Sequence, residues 1–276
     1  CLIDWMLAHR PEYVDQLEEM VGRGQVELLT GGYYEPIFSS IPEEDREGQI
    51  RKLSDWIRER FGREPTGLWL TERVWEPGLV GAFARAGVAY TMVDDTHFIA
   101  AGLGRDRLWG HYMTEDQGDA IRVFPISKKL RYLIPFADPG ETISFLRGLA
   151  AEEPGRTAVL GDDGEKFGVW PETHDLVYTR GWLERFFTLL EENQDWLHLK
   201  FGSEVVAGRA PLGKVYLPTA SYEEMMEWAL PAETQPRFHA FRARIESDGT
   251  ADTQFVRGGY WRNFFARYPE SDHINK

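Results

Sequence analysis

Short apolar runs alternate with amphipathic segments along most of the chain. Apolar residues at helical spacing predict helices over the ranges 2–7, 13–21, 43–61, 79–86, 142–150 and 183–193. Mostly apolar runs bounded by turn residues predict strands at 25–30, 67–70, 89–93, 158–161 and 198–201. Strands separated by helices indicate right-handed βαβ units and therefore a parallel sheet.

Two regions depart from this alternation. Residues 122–126 and 131–136 are predicted to form a hairpin or an inserted excursion. After about residue 220 the pattern becomes helical and rich in Trp and Met. We therefore divide the chain into an α/β part, residues 1–217, and the start of a helical subdomain, residues 218–276.

Charge and composition narrow the classes of partner. The chain has 31 Lys and Arg against 45 Asp and Glu, so its net charge is −14, the wrong sign for binding nucleic acid or an anionic membrane. Its one cysteine, Cys1, excludes an internal disulfide and a cysteine-rich metal site. The 10 Trp and 11 Tyr suit stacking on a neutral polyhydroxylated ligand. The composition favours a neutral substrate.

Acidic residues follow the predicted strands repeatedly. They are Glu72, Asp94, Asp95, Asp162, Asp163 and Glu204. In a barrel of parallel strands the carboxyl ends converge on one face, where active sites are built. Each acid could instead cap a helix, but several at one face are less easily explained that way.

The segment from Trp69 to Pro77 carries the first candidate for chemistry. Glu72 lies just past a buried strand, between Trp69 and Trp75 and next to Arg73. An acid in this setting is either a structural carboxylate paired with Arg73 or a nucleophile held ionised by its neighbours. The spacing leaves both readings open.

The segment from Gly161 to Pro171 carries the second candidate. It places Asp162, Asp163 and Glu165 within four positions at a strand end. Like charges this close cannot all ionise cheaply, so one carboxyl is expected to keep its proton and to serve as an acid; the alternative is a solvated acidic turn. An ionised Glu72 facing a protonated Asp163 matches the two-carboxylate scheme of glycoside cleavage.

Six stretches of the chain together resemble glycoside hydrolase family 57, specifically its 4-α-glucanotransferase and α-amylase members. They are Gly31–Pro36, Trp69–Pro77, Asp94–Phe98, Asp162–Pro171, Gly258–Phe264 and Tyr268–Ser271. The resemblance implies an incomplete (β/α)7 barrel, here lacking its N-terminal strands, followed by helices. It also implies retaining cleavage or transfer of α-1,4-glucan bonds, with an α-glucan or maltooligosaccharide as substrate and no cofactor.

The resemblance also implies roles for individual residues. The family nucleophile falls on Glu72, the acid/base on Asp163, and aromatic subsite residues on Trp69 and Trp170. Substrate contact and a structural role both remain open for a further set: Glu27, Glu35, Asp94, His97 and Arg131. Whether the acceptor is water or a sugar hydroxyl also stays open.

One family motif, a His-x-His-Gln-Pro strand near the N-terminus, has no counterpart here. Truncation explains this absence best, and we expect the chain to be an internal piece of a longer protein. A cytoplasmic location is then only the default expectation, since we expect the true N-terminus to lie outside this sequence.

Two other functions compete with the glucan-acting enzyme. A metal-dependent carbohydrate deacetylase would use a related barrel and an Asp/His site near His97. No His-x-x-x-His pair accompanies His97, so we expect no metal. A non-catalytic glucan-binding module would keep the aromatic residues but would not need both Glu72 and Asp163.

Overall fold

The computed structural model describes residues 2–249 and 256–275, so the single cysteine, Cys1, lies outside the described part. The strands are β1 (Gly67–Trp69), β2 (Tyr90–Asp94), β3 (Tyr112–Asp116) and β4 (Asp119–Ile126). The first helices are α1 (Leu2–His9), α2 (Pro11–Gly22), α3 (Glu43–Phe61), α4 (Leu79–Arg85), α5 (Asp95–Ala100), α6 (Lys128–Leu133) and α7 (Pro139–Glu152). The later helices are α8 (Trp182–Glu192), α9 (Gly202–Gly208), α10 (Glu223–Trp228), α11 (Gln235–Ser247), α12 (Asn263–Arg267) and α13 (Pro269–Asn275). No helix in the described ranges is long and apolar enough to cross a membrane.

The four strands form one sheet in the order β1-β2-β4-β3. β1 pairs with β2, and β2 with β4, in parallel, whereas β3 and β4 form an antiparallel hairpin. Thr30 bridges to Leu68 of β1, and Val159 bridges to Ile126 of β4, both in parallel. The chain at Thr30 and Val159 therefore extends the parallel set on both sides, as in an incomplete barrel.

Several strand predictions were wrong in detail. The predicted strands 25–30 and 158–161 reduce to the single bridges at Thr30 and Val159. The predicted strand 198–201 is irregular, with Leu199 71% exposed, and leads into α9. Among the described residues no strand pairs with this segment, so it stays irregular despite its apolar residues.

The hairpin lies earlier in the chain than predicted. It is formed by β3 and β4 around Gln117 and Gly118, which both have positive φ angles of 51° and 95°. This is the backbone geometry of a two-residue hairpin turn. Residues 131–136 do not form a strand, because α6 runs through Leu133. Ser127 caps the start of this helix, since its Oγ accepts a hydrogen bond from the Leu130 N–H.

A buried apolar cluster covers the sheet and fixes the strand ends. It includes Phe38, Ile50, Leu68, Leu70, Trp75, Leu79, Phe83, Val93, Phe98, Tyr112 and Val123. Close packing of this kind leaves little freedom to the loops that leave β1 and β2.

The segment after residue 217 packs directly on the loop that follows β1. Trp75 and Ala220 exchange two backbone hydrogen bonds of 2.8 and 3.1 Å. Farther along, Trp261 Nε1 and Arg262 Nε both donate to Glu76 Oε1, at 3.0 and 2.9 Å. The helical part is therefore joined to the end of β1 at two places.

Candidate active site

Glu72 lies on a strained turn at the carboxyl end of β1. Glu72 and Arg73 both have left-handed φ angles, 52° and 48°. Non-glycine residues in this region cost of order 1–3 kcal/mol each and persist only where the surroundings enforce them. Here the turn is closed by hydrogen bonds from Arg73 N to Leu70 O, 2.8 Å, and from Val74 N to Thr71 O, 3.2 Å.

Two side chains from the segment after residue 217 contact Glu72. Tyr222 donates its phenol hydrogen to Glu72 Oε2 at 2.7 Å, and Ser221 donates to the Glu72 carbonyl at 2.6 Å. Burial, followed by the hydrogen bond to Glu72, raises the pKa of Tyr222 well above its ordinary value, so the phenol stays a donor. The sequence does not predict this contact, because Tyr222 lies in the region after residue 220, where the pattern indicates only helices.

The loop that bears Asp163 treats its carboxylates unequally. Asp162 is buried and forms an ion pair with Lys166, whose ammonium also donates to the Arg131 carbonyl at 2.8 Å. Asp163 keeps 42% of its side chain exposed and lies 3.7 Å from Arg73 Nη1. Lys166 thus compensates the charge of Asp162, and the Asp163 carboxyl group is the more exposed of the two.

A buried chain of charges connects the two loops. Asp94 Oδ2 lies 3.0 Å from Arg73 Nε, and Asp94 Oδ1 accepts from Arg131 Nη1 at 3.0 Å. Arg131 Nε in turn lies 3.5 Å from Asp162 Oδ1. We call the linked residues Arg73, Asp94, Arg131, Asp162 and Lys166 the buried ion network. It joins the residue after Glu72 to the residue before Asp163.

Asp94, within this network, and His97, beside it, are both buried. Asp94 is 2% exposed and His97 is fully buried. The His97 ring nitrogens face two carbonyl oxygens, Asp94 O at 3.1 Å and Arg73 O at 3.0 Å, and burial lowers the pKa of the imidazole. An influence of either residue on a substrate would therefore be indirect, through Arg73 for His97 and through Arg73 or Arg131 for Asp94.

Asp95, the acid after Asp94, is also buried. Its Oδ2 accepts from the Lys128 N–H at 3.0 Å, while Oδ1 has no hydrogen-bond partner. Burial raises the pKa of Asp95 to about 6, because the charged form is desolvated. It begins α5 and supports the start of α6.

Glu35 and Glu27 end up in different surroundings. Glu35, which has a φ of 55°, lies close enough to the candidate acids for their charges to act on it. Partial burial raises its pKa, and the negative charges of Glu72, Glu165 and Asp163 raise it further. Glu27 instead accepts from the Ser203 N–H at 3.3 Å, at the start of α9. It lies beside Tyr90, the first residue of β2, whereas Asp94, the last residue of that strand, pairs with Arg73 next to Glu72.

Aromatic rings flank the two loops. Trp69 lies under the Arg73 guanidinium, 5.8 Å from ring centre to Cζ. Trp170 is 41% exposed and stacks on Phe136, with ring centres 6.2 Å apart and planes 19° apart. Lys166 Nζ lies 5.6 Å from the Trp170 ring centre, which ties this pair to the Asp163 loop.

Within residues 2–249 and 256–275 no group of three or more His, Cys, Asp or Glu side chains is arranged to hold a metal ion. Carboxylate-bearing loops at the carboxyl ends of parallel strands define the class of protein: an α/β barrel with a candidate active site at that end of its sheet.

Comparisons with known proteins give the family. Residues 2–218 match the family model of glycosyl hydrolase family 57. The chain is 47% identical to alpha-amylase 1 of Dictyoglomus thermophilum over 277 residues, which is 100% of this chain and 40% of that protein. It is 46% identical to the 4-alpha-glucanotransferase of Thermococcus litoralis, covering 100% of this chain and 42% of that protein. The chain belongs to glycosyl hydrolase family 57 and spans about two fifths of the length of these relatives.

Solved structures agree with this assignment. The crystal structure of the Thermococcus litoralis 4-alpha-glucanotransferase superimposes with a TM-score of 0.95 at 46% identity, over 99% of this chain and 43% of that one. A putative polysaccharide deacetylase from Mycobacterium smegmatis superimposes at 0.51 and 15% identity, over 74% of this chain and 68% of that one. That second likeness concerns the fold alone.

Proposed function

We propose that the protein carrying this chain is a retaining enzyme that acts on α-1,4-glucans, as a 4-α-glucanotransferase or an α-amylase. The observation that carries the proposal is the buried ion network, because its ion pairs link the loop of Glu72 to the loop of Asp163. The names of the relatives with 46–48% identity, alpha-amylase and 4-alpha-glucanotransferase, support the substrate class.

In the proposed reaction Glu72 attacks the anomeric carbon as the glycosidic bond breaks. Asp163 gives its proton to the departing glycosidic oxygen, so a glycosyl ester of Glu72 and a shortened glucan result. Asp163, now ionised, removes a proton from the acceptor hydroxyl, whose oxygen displaces Glu72 from the anomeric carbon. Water as acceptor gives hydrolysis, and a sugar hydroxyl gives transfer.

We assign substrate binding to side chains that lie near Glu72 and Asp163. Trp69 and Trp170 offer aromatic faces for sugar rings, and Glu35 offers a carboxyl group to sugar hydroxyls. Arg131 and Asp94 contribute indirectly, since both are committed to the buried ion network.

Chemical rescue tests the two roles. In the full-length protein, Glu72→Ala should lose nearly all turnover of maltooligosaccharides and regain it with azide, which can attack from the vacated face. Asp163→Ala should retain activity on α-glucosyl fluorides, whose leaving group needs no proton. Glu204→Ala is the matched control, because this exposed acid lies at the start of α9 and its contacts, with Phe201 N and Lys200, are local.

The competing functions give different results. Ordinary maltooligosaccharide turnover by Glu72→Ala would refute the mechanism. Glucan binding without turnover by the unaltered protein would indicate a binding module. Loss of activity on chelation, with activity on acetylated sugars, would indicate a deacetylase. Incubation with maltotriose distinguishes transfer, which yields longer oligosaccharides, from hydrolysis.

A further inference from the structure

The segment Leu217–Tyr222, which we call the strap, crosses the turn that carries Glu72. Its backbone pairs with Trp75 through two hydrogen bonds at Ala220, and Trp75 Nε1 donates to the Leu217 carbonyl at 3.2 Å. These contacts fix the strap to the loop after β1, although Trp75 and Leu217 are 142 residues apart in the sequence.

The last two residues of the strap contact Glu72 at both its backbone and its carboxylate. Ser221 donates to the Glu72 carbonyl, and Tyr222 donates to Glu72 Oε2. The Tyr222 ring also lies over the Arg73 guanidinium, 4.4 Å from its Cζ atom. Ser221 and Tyr222 therefore support the turn in which Glu72 and Arg73 have positive φ angles.

Among the described residues, Tyr222 supplies the one hydrogen bond to the Glu72 carboxylate. Arg73, although adjacent in sequence, directs its guanidinium to Asp94 and Asp163 instead. The two oxygens of Glu72 are consequently different: Oε2 is bound, and Oε1 is free.

We propose that Tyr222 is a further catalytic residue, which binds Oε2 of Glu72 and so leaves Oε1 as the attacking oxygen. The inference rests on the proposed function, in which Glu72 is the nucleophile. When Oε1 bonds to the anomeric carbon, Glu72 loses its charge and Oε2 becomes the carbonyl oxygen of an ester. When the acceptor displaces Glu72, the charge returns to the carboxylate and Tyr222 stabilises it.

The two half-reactions therefore depend on Tyr222 unequally. A hydrogen bond to a charged oxygen is stronger than one to an ester carbonyl. Tyr222 thus favours the departure of Glu72 from the glycosyl-enzyme, and its loss should slow this second step most. A merely structural tyrosine would not produce this asymmetry.

Tyr222→Phe in the full-length protein is the test, since it removes the hydroxyl and keeps the ring on Arg73. We expect kcat to fall roughly 10- to 100-fold, the loss of one hydrogen bond to a charged group. KM should fall with it, because the glycosyl-enzyme accumulates. The deficit should be larger with α-glucosyl fluorides than with maltooligosaccharides, since the fluorides speed only the first step.

Tyr216→Phe is the matched control. Tyr216 also donates to a carboxylate, Glu115 Oε2 at 2.9 Å, but it is 62% exposed and lies beside β3. Its variant should keep kcat and KM. Whole-protein mass spectrometry after an acid quench should detect a glycosylated Tyr222→Phe protein, and circular dichroism should show that both variants are folded.

The outcomes that would overturn the two inferences are different. An unchanged kcat in folded Tyr222→Phe, or a lower kcat with an unchanged or higher KM, would overturn the role of Tyr222 alone. Ordinary activity in Glu72→Ala would instead overturn the proposed function. Accumulation of the glycosyl-enzyme only in Tyr222→Phe would support both.

Discussion

Asp94→Asn is the most informative single change in the buried ion network. It replaces a carboxylate by an amide of the same shape between two guanidinium groups. In the native network Arg73, Arg131 and Lys166 face two buried carboxylates, Asp94 and Asp162. The variant leaves three buried cations with one buried anion.

The magnitude follows from the burial and geometry of the pairs. Asp94, Arg73 and Arg131 are 2%, 3% and 11% exposed, so solvent screens their charges little. Removing one partner of a buried ion pair costs about 3–5 kcal/mol. The Arg73 Nε to Asp94 Oδ2 contact, although 3.0 Å long, lacks hydrogen-bond geometry. We therefore expect the lower end, roughly 3 kcal/mol less free energy of unfolding.

Activity should fall as well, and in a specific way. Without Asp94, the carboxylate left to Arg73 is Asp163, 3.7 Å away, and the guanidinium then stabilises the ionised form of that acid. Cleavage that needs a proton from Asp163 should suffer most. We expect kcat/KM to fall more for maltooligosaccharides than for α-glucosyl fluorides.

The assay combines urea unfolding with steady-state kinetics on maltooligosaccharides and on α-glucosyl fluorides. Asp175→Asn is the control, because Asp175 pairs with Arg180 on the surface, at 2.6 Å with side chains 49% and 69% exposed. Such a pair is worth about 0–1 kcal/mol. If Asp94→Asn were as stable as Asp175→Asn, or lost activity equally on both donors, the network would not have the role given to it here.

Three further predictions concern other sites. The raised pKa of Asp95, about 6 against an ordinary 3.8, means that the folded state prefers the neutral acid, so its contribution to stability declines as the pH rises from about 4 to 6. Asp95→Asn should therefore gain roughly 3 kcal/mol over the native protein above pH 6 and little below pH 4, measured by urea unfolding. Gly67→Ala should destabilise the protein by about 1–3 kcal/mol in the same assay, because the added Cβ would lie 2.3 Å from Tyr90 Cζ. Trp170→Ala should raise KM for maltooligosaccharides several-fold, and urea unfolding should show a loss of about 0.5–1.5 kcal/mol for the broken stack on Phe136.

Local patterns predicted the elements that carry the site. The strand before Glu72 and the strand before Asp94 are short, apolar and followed by acids, so both were found within a residue or two. The runs near Thr30 and Val159 look the same in sequence but make only single bridges. Strand formation there depends on neighbouring strands, which a local pattern cannot supply.

The sequence does contain signals for the position of the hairpin, the start of α6 and the partner of Asp162. Gln117-Gly118 marks the true hairpin turn, and Ser127 marks the start of α6. Lys166 stands four residues after Asp162, a spacing that suits an ion pair, so the compensation of Asp162 was also readable.

The contacts that define the candidate site were beyond the reach of spacing alone. Tyr222 meets Glu72 across 150 residues, and Asp94 meets Arg131 across 37. No periodicity relates residues this far apart, because such contacts are set by how the strands and the strap pack.

Two features of the candidate site are unfavourable for folding, and they favour a catalytic role over simple glucan binding. Two consecutive left-handed residues, Glu72 and Arg73, and the charges of the buried ion network are each unfavourable for folding. Stacking a sugar ring requires only exposed aromatic faces such as Trp170. A binding module would gain nothing from the strained turn, and apolar residues in place of the network would be as stable or more so. A carboxylate held in one orientation against an accessible acid needs both features, because catalysis by two groups depends on their fixed geometry.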